Sequence, residues 1–173
     1  QLAVETGKLT QPHPAFTCYA ESRDGIRWEK PDLGLFPYDG SLHNNIVLTT
    51  GSPGPVHVDA GHIAVFRDEN PNCPSESRYK AVVRSRQPKG LLPFCSSDGI
   101  HWEPMSDRPV ITQGAFDSQN LAFWDSFRGE YRAYWRYFGE GRRDIMTATS
   151  DDFLDWSAPE MLVYPDAPGE QLY

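Results

Sequence analysis

Ser22-Arg23-Asp24-Gly25-Ile26-Arg27-Trp28 returns as Ser96-Ser97-Asp98-Gly99-Ile100-His101-Trp102 and, more loosely, as Ser150-Asp151-Asp152-Phe153-Leu154-Asp155-Trp156. Repetition of this kind sets an architecture before any single residue does. In Ser-x-Asp-Gly-x-x-Trp the hydroxyl and carboxylate accept hydrogen bonds from turn amides, glycine supplies a positive φ, and the indole buries a large ring that locks the turn. Asp24, Asp98 and Asp152 are therefore expected to serve structure, not chemistry. The first two copies lie 74 residues apart (Trp28 to Trp102) and the last two 54 apart (Trp102 to Trp156), which suits a repeated sheet of several strands with one insertion.

The strands between the copies fill in that repeat. Leu121-Ala-Phe-Trp-Asp125, Tyr131-Arg-Ala-Tyr-Trp-Arg-Tyr-Phe138, Asp144-Ile-Met-Thr-Ala-Thr149 and Met161-Leu-Val-Tyr164 read as four strands of an antiparallel meander. The preceding unit fits the same template with His62-Ile-Ala-Val-Phe-Arg67, Arg78-Tyr-Lys-Ala-Val-Val83, Leu91-Leu-Pro-Phe-Cys95 and Pro109-Val-Ile111. Phe66-Arg67-Asp68 matches Phe123-Trp124-Asp125, and Tyr79-Lys-Ala matches Tyr131-Arg-Ala. The pattern predicts an all-β fold, a β-propeller of which the chain covers about two full blades and parts of two more. The expected divisions are the second half of a blade over 1–41, an insertion or rim loop over 42–61, full blades over 62–111 and 112–168, and the start of a further blade over 169–173. The remaining blades would come from a parent chain or another chain.

Composition narrows the partners. The 16 basic and 24 acidic residues leave a formal charge of −8, which argues against nucleic acid or an anionic membrane as a partner. Aromatic residues make up 13% of the chain, a composition that suits stacking on sugar rings. No apolar run approaches the roughly 20 residues that span a bilayer, and Gln1-Leu-Ala-Val-Glu5 does not read as a signal peptide. Cys18, Cys73 and Cys95 form no Cys-x-x-Cys pair; one disulfide is compatible with them and a zinc site is not expected.

Taken together, Cys18-Tyr-Ala-Glu-Ser-Arg-Asp-Gly-Ile-Arg-Trp28, His43-Asn-Asn-Ile-Val47, Phe116-Asp-Ser-Gln-Asn120 and Ser150-Asp-Asp-Phe153 carry a family likeness. The chain resembles the five-bladed propeller glycoside hydrolases, the superfamily of families 32, 43, 62, 68, 117 and 130, and bacterial proteins labelled family 32 N-terminal-like. The repeated phrase is also similar to the Asp-box of sialidase-type propellers, with one residue fewer between Asp and Gly. The first resemblance implies a carbohydrate substrate, no obligatory cofactor, and an axial funnel where each blade contributes a carboxylate: a base or nucleophile Asp, a second Asp that tunes pKa, and a Glu acid. An exported enzyme, secreted or periplasmic, fits it best.

Counting from each anchor Trp to the next inner strand gives Asp117, 15 residues after Trp102, and Glu170, 14 after Trp156. Aligning His62-Ile-Ala-Val-Phe with Gln119-Asn-Leu-Ala-Phe brings Asp59 close to the Asp117 position. Glycoside cleavage passes through an oxocarbenium-like transition state, with one carboxylic acid protonating the leaving oxygen and a carboxylate opposite activating water or attacking directly. The expected roles are Asp59 as base or nucleophile, Asp117 as pKa modulator and Glu170 as acid. Each has a plain alternative: Asp117 opening an Asx-turn, Asp59 in a surface loop, Glu170 an ordinary exposed acid.

Asp68 is a rival, because Phe66-Arg67-Asp68 resembles the Arg-Asp-Pro motif of family 32 with Glu69 in place of Pro. Asn44, Asn45, Gln119 and Asn120 are candidate partners for sugar hydroxyls, and Trp124 a candidate stacking platform or core residue. No metal site is predicted, although His57, Asp59 and His62 could bear on an axial cation. The competing readings are a non-catalytic propeller that binds carbohydrate or protein, and a family 130-like glycoside phosphorylase using Arg67, Arg84 or Arg136.

Overall fold

A computed structural model describes the backbone of residues 3–5 and 8–10 and the full structure of residues 13–51 and 57–166. The three phrases fold alike. Asp24 Oδ1 accepts from the amides of Ile26 and Arg27, both at 2.8 Å, while the Ser22 hydroxyl accepts from the Gly25 amide at 2.9 Å. Asp98 accepts from Ile100 and His101 at 2.8 and 2.9 Å, and Asp152 from Leu154 and Asp155, both at 2.8 Å. Each indole then donates to the carbonyl of the residue after the Asp, at 3.2, 3.1 and 3.1 Å. These carboxylates are spent on the turn, and the amide bonds hold all three below the usual carboxylate range.

The third copy shows what the glycine was for. Gly25, Gly99 and Phe153 share a left-handed conformation, with φ of 73°, 79° and 72°. That conformation costs a side-chain-bearing residue about 1–2 kcal/mol. Phe153 offsets it by full burial, its ring meeting Phe66, Tyr131 and Trp156 at centroid distances of 5.5, 5.3 and 5.7 Å. A buried Phe contributes about 1.5–3 kcal/mol.

Among the described residues the chain is all-β and antiparallel. Strands β1 (Ala3–Glu5) and β2 (Lys8–Thr10) pair with each other, as do β3 (Phe16–Cys18) and β4 (Ile46–Thr49). Two four-stranded sheets follow. The first runs β5 (Val58–Arg67), β6 (Tyr79–Arg86), β7 (Lys89–Ser96) and β8 (Glu103–Pro104); the second runs β9 (Leu121–Asp125), β10 (Glu130–Gly139), β11 (Arg142–Ser150) and β12 (Glu160–Met161). Every neighbour in each sheet is consecutive in sequence, as a meander requires.

The fourth strands depart from expectation. The segment Pro109–Ile111 makes only a bridge, Ile111 to Leu91, and the regular pairing falls earlier, at Glu103 and Pro104 against Cys95 and Phe94. Pro104 and Pro109 lack amide donors, which breaks the outer edge into two short contacts. Of the stretch 42–61 the structure describes residues 42–51 and 57–61, and Gly51 forms an antiparallel bridge with Val58. Ile46–Thr49 lies against Thr17 and Cys18 as Ile111 lies against Leu91, so β4 takes the outer-strand place beside β3, while Val58 already opens β5. The 169–173 segment lies outside the described residues.

The core has two layers, one on each face of the first sheet. Val58, Ala60, Ala81, Val83, Leu92 and Phe94 pack toward Leu48 of β4. On the other face Ala64, Val82 and Leu91 meet Ala122, Tyr131, Ala133, Trp135 and Phe153 of the second sheet. Within that second layer sits a charge. Lys80 donates to Asp68 Oδ2, reaches Cys73 Sγ at 3.2 Å, and lies 5.3 Å from the centroid of the Tyr131 ring. The Tyr131 hydroxyl, arriving from the second sheet, donates to the same Asp68 oxygen at 2.6 Å. The side chains of Lys80 and Asp68 are 4% and 0% exposed, so both ions are out of water and each depends on the other. Burial pushes the Asp68 carboxyl up, but the bonds from Lys80 and Tyr131 outweigh it and leave the group below its ordinary range; the same contacts raise Lys80 against its burial. The three cysteines are free thiols.

Removing one member of this cluster should cost more than removing two. Lys80→Met is expected to lose about 3–5 kcal/mol in urea unfolding, whereas Lys80→Met with Asp68→Leu recovers much of that loss. Because the folded pKa of Asp68 is depressed, its contribution is complete above the unfolded value of about 3.9 and disappears as pH falls through the folded one. The double variant should accordingly show a shallower acid limb than the parent when unfolding is followed from pH 6 downward.

Candidate active site

Asp59 lies at the start of β5 and Asp117 on the loop before β9, and the chain builds each place differently. On β5 the pairing jumps from Asp59 opposite Arg84 to Ile63 opposite Val83, so Ala60, Gly61 and His62 bulge out of the ladder. A bulge strands backbone groups that must find other partners. Here the Thr17 hydroxyl donates to the Ala60 carbonyl at 2.7 Å and the Ala60 amide donates to the Thr50 hydroxyl at 3.0 Å. A Cβ at Gly61 would stand 3.0 Å from Ala15 Cβ, close enough to disfavour any larger residue in the bend.

The bulge turns Asp59 inward. Its side chain is 2% exposed, with Arg86 Nε and Nη2 each 2.9 Å from Oδ2, Arg84 Nη1 at 3.6 Å, the Gly61 amide donating to Oδ1 at 3.2 Å and His62 Nδ1 at 3.4 Å from Oδ1. Burial raises this carboxyl and the Arg86 pairing more than cancels that, so Asp59 stays ionised. Among the described residues no group of three His, Cys, Asp or Glu side chains is placed to hold a metal ion.

Asp117 stands on a loop before β9 rather than in a strand. Trp135 of β10 donates its indole to the Gln113 carbonyl at 2.8 Å, and Phe116 is fully buried against that same ring, 6.4 Å between centroids. Phe116 takes a φ of 61° to do so. Asn120 closes the other side, its Nδ2 donating to the Ser118 carbonyl at 3.0 Å. The result is a carboxylate lifted out to 41% exposure and ion-paired with Arg136 of β10, itself 14% exposed. Between Asp59 and Asp117, only Asp117 exposes its carboxylate to solvent.

The other candidates divide by what already occupies them. Asn44 donates to the Phe36 carbonyl at 2.8 Å and accepts from the Ile46 amide at 3.0 Å, while Asn45 donates to the Tyr19 carbonyl; both fasten the loop before β4 to the sheet. Asn120 is buried within its own loop, Gln119 beside it is exposed, and Trp124 is half-buried with its ring edge-on to Tyr131 at 4.9 Å. Asp68 is fixed in the Lys80 cluster at the far end of β5 from Asp59. Glu170 lies outside the described residues. A cleft of about 380 Å³ opens at Tyr137, Arg142, Asp144 and Met161, and neither Asp59 nor Asp117 lines it.

The partners of the two aspartates are a recurrence that residue-by-residue reading passes over. Arg84 follows Tyr79 by five residues and Arg136 follows Tyr131 by five, so the second strand of each sheet delivers a guanidinium to the carboxylate that opens the first. That shared interval, visible in the sequence, is the signal that pairs them. Compared with protein-family models, curated protein sequences and solved structures, the chain matches none.

Burial separates the two aspartates energetically. Asp59→Ala should cost about 1–3 kcal/mol, since it removes the buried acceptor of the Arg86 guanidinium and the Gly61 amide, while the exposed Arg86 can turn to water. Asp117→Ala, which removes a carboxylate that is itself 41% exposed, should cost no more than about 1 kcal/mol. Urea midpoints of the two variants measured side by side check the difference.

Proposed function

We propose that the chain is part of a five-bladed propeller of the glycoside hydrolase type and takes part in cleaving a glycosidic bond. The observation that carries this reading is Asp117: an exposed carboxylate at the threshold of a first strand, backed by Arg136 and held on a loop stiffened by Trp135, Phe116 and Asn120. Two successive four-stranded meanders with the same turn, each opening on an Asp and answering it with an Arg, support the propeller half of the proposal.

The roles follow accessibility. A base must come within about 2.6–3.2 Å of the proton it removes. Asp59, enclosed by Arg86, Arg84, Gly61 and His62, is better suited to supply fixed negative charge than to take that proton, and Asp117 takes the role of base or nucleophile in its place. Glu170 remains the proposed acid, on the strength of its count from Trp156. Arg136 would hold Asp117 in place and aim it, as a carboxylate that activates water or attacks carbon must be.

The burial of Asp59 also favours a second reading, a propeller that binds carbohydrate without cleaving it. Assay of the full chain on a glycan panel, with and without inorganic phosphate, separates the two. Turnover that falls by about 10²–10⁴-fold in Asp117→Asn supports the enzyme and the role given to Asp117. Undiminished turnover in that variant removes Asp117 from the mechanism, glycan binding without turnover in the parent favours the binding unit, and sugar phosphate as product marks phosphorolysis.

A further inference from the structure

The outer face of the second sheet repeats, position by position, the face of the first sheet that is already covered. Aligned on Tyr79 and Tyr131 and on the turn serines Ser96 and Ser150, Phe66 corresponds to Phe123, Ala64 to Leu121, Val82 to Tyr134 and Leu91 to Ile145. The charged cluster is repeated too. Asp68 corresponds to Asp125 and Lys80 to Arg132, with Arg132 Nε 3.5 Å from Asp125 Oδ2; on this open face Arg128 Nη1 also reaches that oxygen at 3.0 Å and Arg132 pairs with Glu130 at 2.8 Å. Even the turn agrees, for the Asn70 amide donates to Asp68 Oδ1 at 2.9 Å and the Phe127 amide to Asp125 Oδ1 at 3.1 Å.

What differs is the cover. In the first sheet Ala64 and Val82 are 7% and 0% exposed, because the second sheet lies on them and Tyr131 brings its hydroxyl to Asp68. In the second sheet Leu121 and Phe123 are 47% and 37% exposed. Phe123 stacks on Tyr134 at 6.1 Å, forming an apolar platform beside an Asp–Arg pair.

We infer that the face bearing Leu121, Phe123 and Tyr134 is a docking surface for one further four-stranded antiparallel meander of the same repeat, whose second strand opens with a tyrosine that sets its hydroxyl on Asp125. The occupant is specified by continuity with the interface between the first and second sheets. An apolar peptide of another kind would cover the platform and leave Asp125 and Arg132 without that hydroxyl. A second copy of the chain does not supply it either. Its Tyr131 is spent on Asp68, and the strand after Tyr79 is closed off, with Ala81 and Val83 at 0% exposure beneath β4. The inference rests on the repeat architecture of the proposed function and not on its chemistry.

The test is hydroxyl-radical footprinting of the full chain and of the chain extended after Tyr173 by a duplicate of residues 112–166. The duplicate carries Phe123→Leu so that its peptides separate by mass. In the extended chain, oxidation of the original Phe123 is expected to fall to the rate seen at Phe66, and Leu121→Asp in the original sheet, a change at an exposed position, is expected to restore it. Tyr131→Phe in the duplicate alone should lower the urea concentration that exposes Phe123 again. Phe123 oxidised equally fast with and without the duplicate overturns the proposal, and so does protection that grows with concentration of the unextended chain, which would mark a second copy as the occupant. An unchanged urea concentration in the tyrosine variant overturns the hydroxyl contact. No glycan is present, so failure here and failure of the hydrolase reading are read separately.

Discussion

The buried Asp68–Lys80–Tyr131 cluster is the constraint on which the arrangement of the two sheets depends. Its members come from the turn after β5, from β6 and from β10, and no two adjacent strands could satisfy it alone. An ion pair out of water gains little net stability over a well-packed apolar pair. It does penalise misplacement heavily, since any shift of the second sheet that withdraws the Tyr131 hydroxyl leaves Asp68 with fewer donors in a site where water cannot replace them. Packing of small residues, Ala64 against Ala122 and Ala133, supplies surface without much shape. The cluster supplies the register.

The repeated turns play the complementary local role. Each closes its turn with its own Ser and Asp, consuming the carboxylate, and the indole packs against the core at Trp102 and Trp156 while Trp28 stays 61% exposed. Phe153 links the two levels. It completes the third turn in a backbone conformation that disfavours it, and the same ring lies 5.9 Å from Lys80 Nζ and against Tyr131, so a residue that breaks the local pattern serves the long-range one. Local strain is tolerated where surrounding contacts over-determine it.

Much of this was legible in the chain. The third-strand turns, their structural aspartates and the strand Leu121–Asp125 follow from alternation and from the chemistry of Ser, Asp and Gly in turns, which act over a few residues. The outer strands were less legible because proline interrupts them, and β4 because its partner β3 lies some 30 residues away across a loop held by Asn44 and Asn45. The start of β5 was hidden by the bulge at Ala60–His62, which breaks the period-2 pattern where Asp59 sits. Sequence spacing pointed to Asp59, at the start of β5, and to Asp117, on the loop before β9. What it could not supply was burial, which arises from side chains brought in by other strands.

Burial is also what turns two similar positions into two different groups. Asp59 lies at the start of β5 and Asp117 on the loop before β9, and each faces an arginine on the following strand, yet the bulge folds Asp59 under Arg86 while the Phe116 and Trp135 anchor holds Asp117 in the open. A duplicated unit thus offers one charge that is fixed and screened from solvent and one that remains reachable. In this chain the divergence is produced by backbone, through a three-residue bulge on one strand and a left-handed Phe before the other. Accessibility at these positions is therefore set by the backbone leading into each strand more than by the residue type, which is Asp in both.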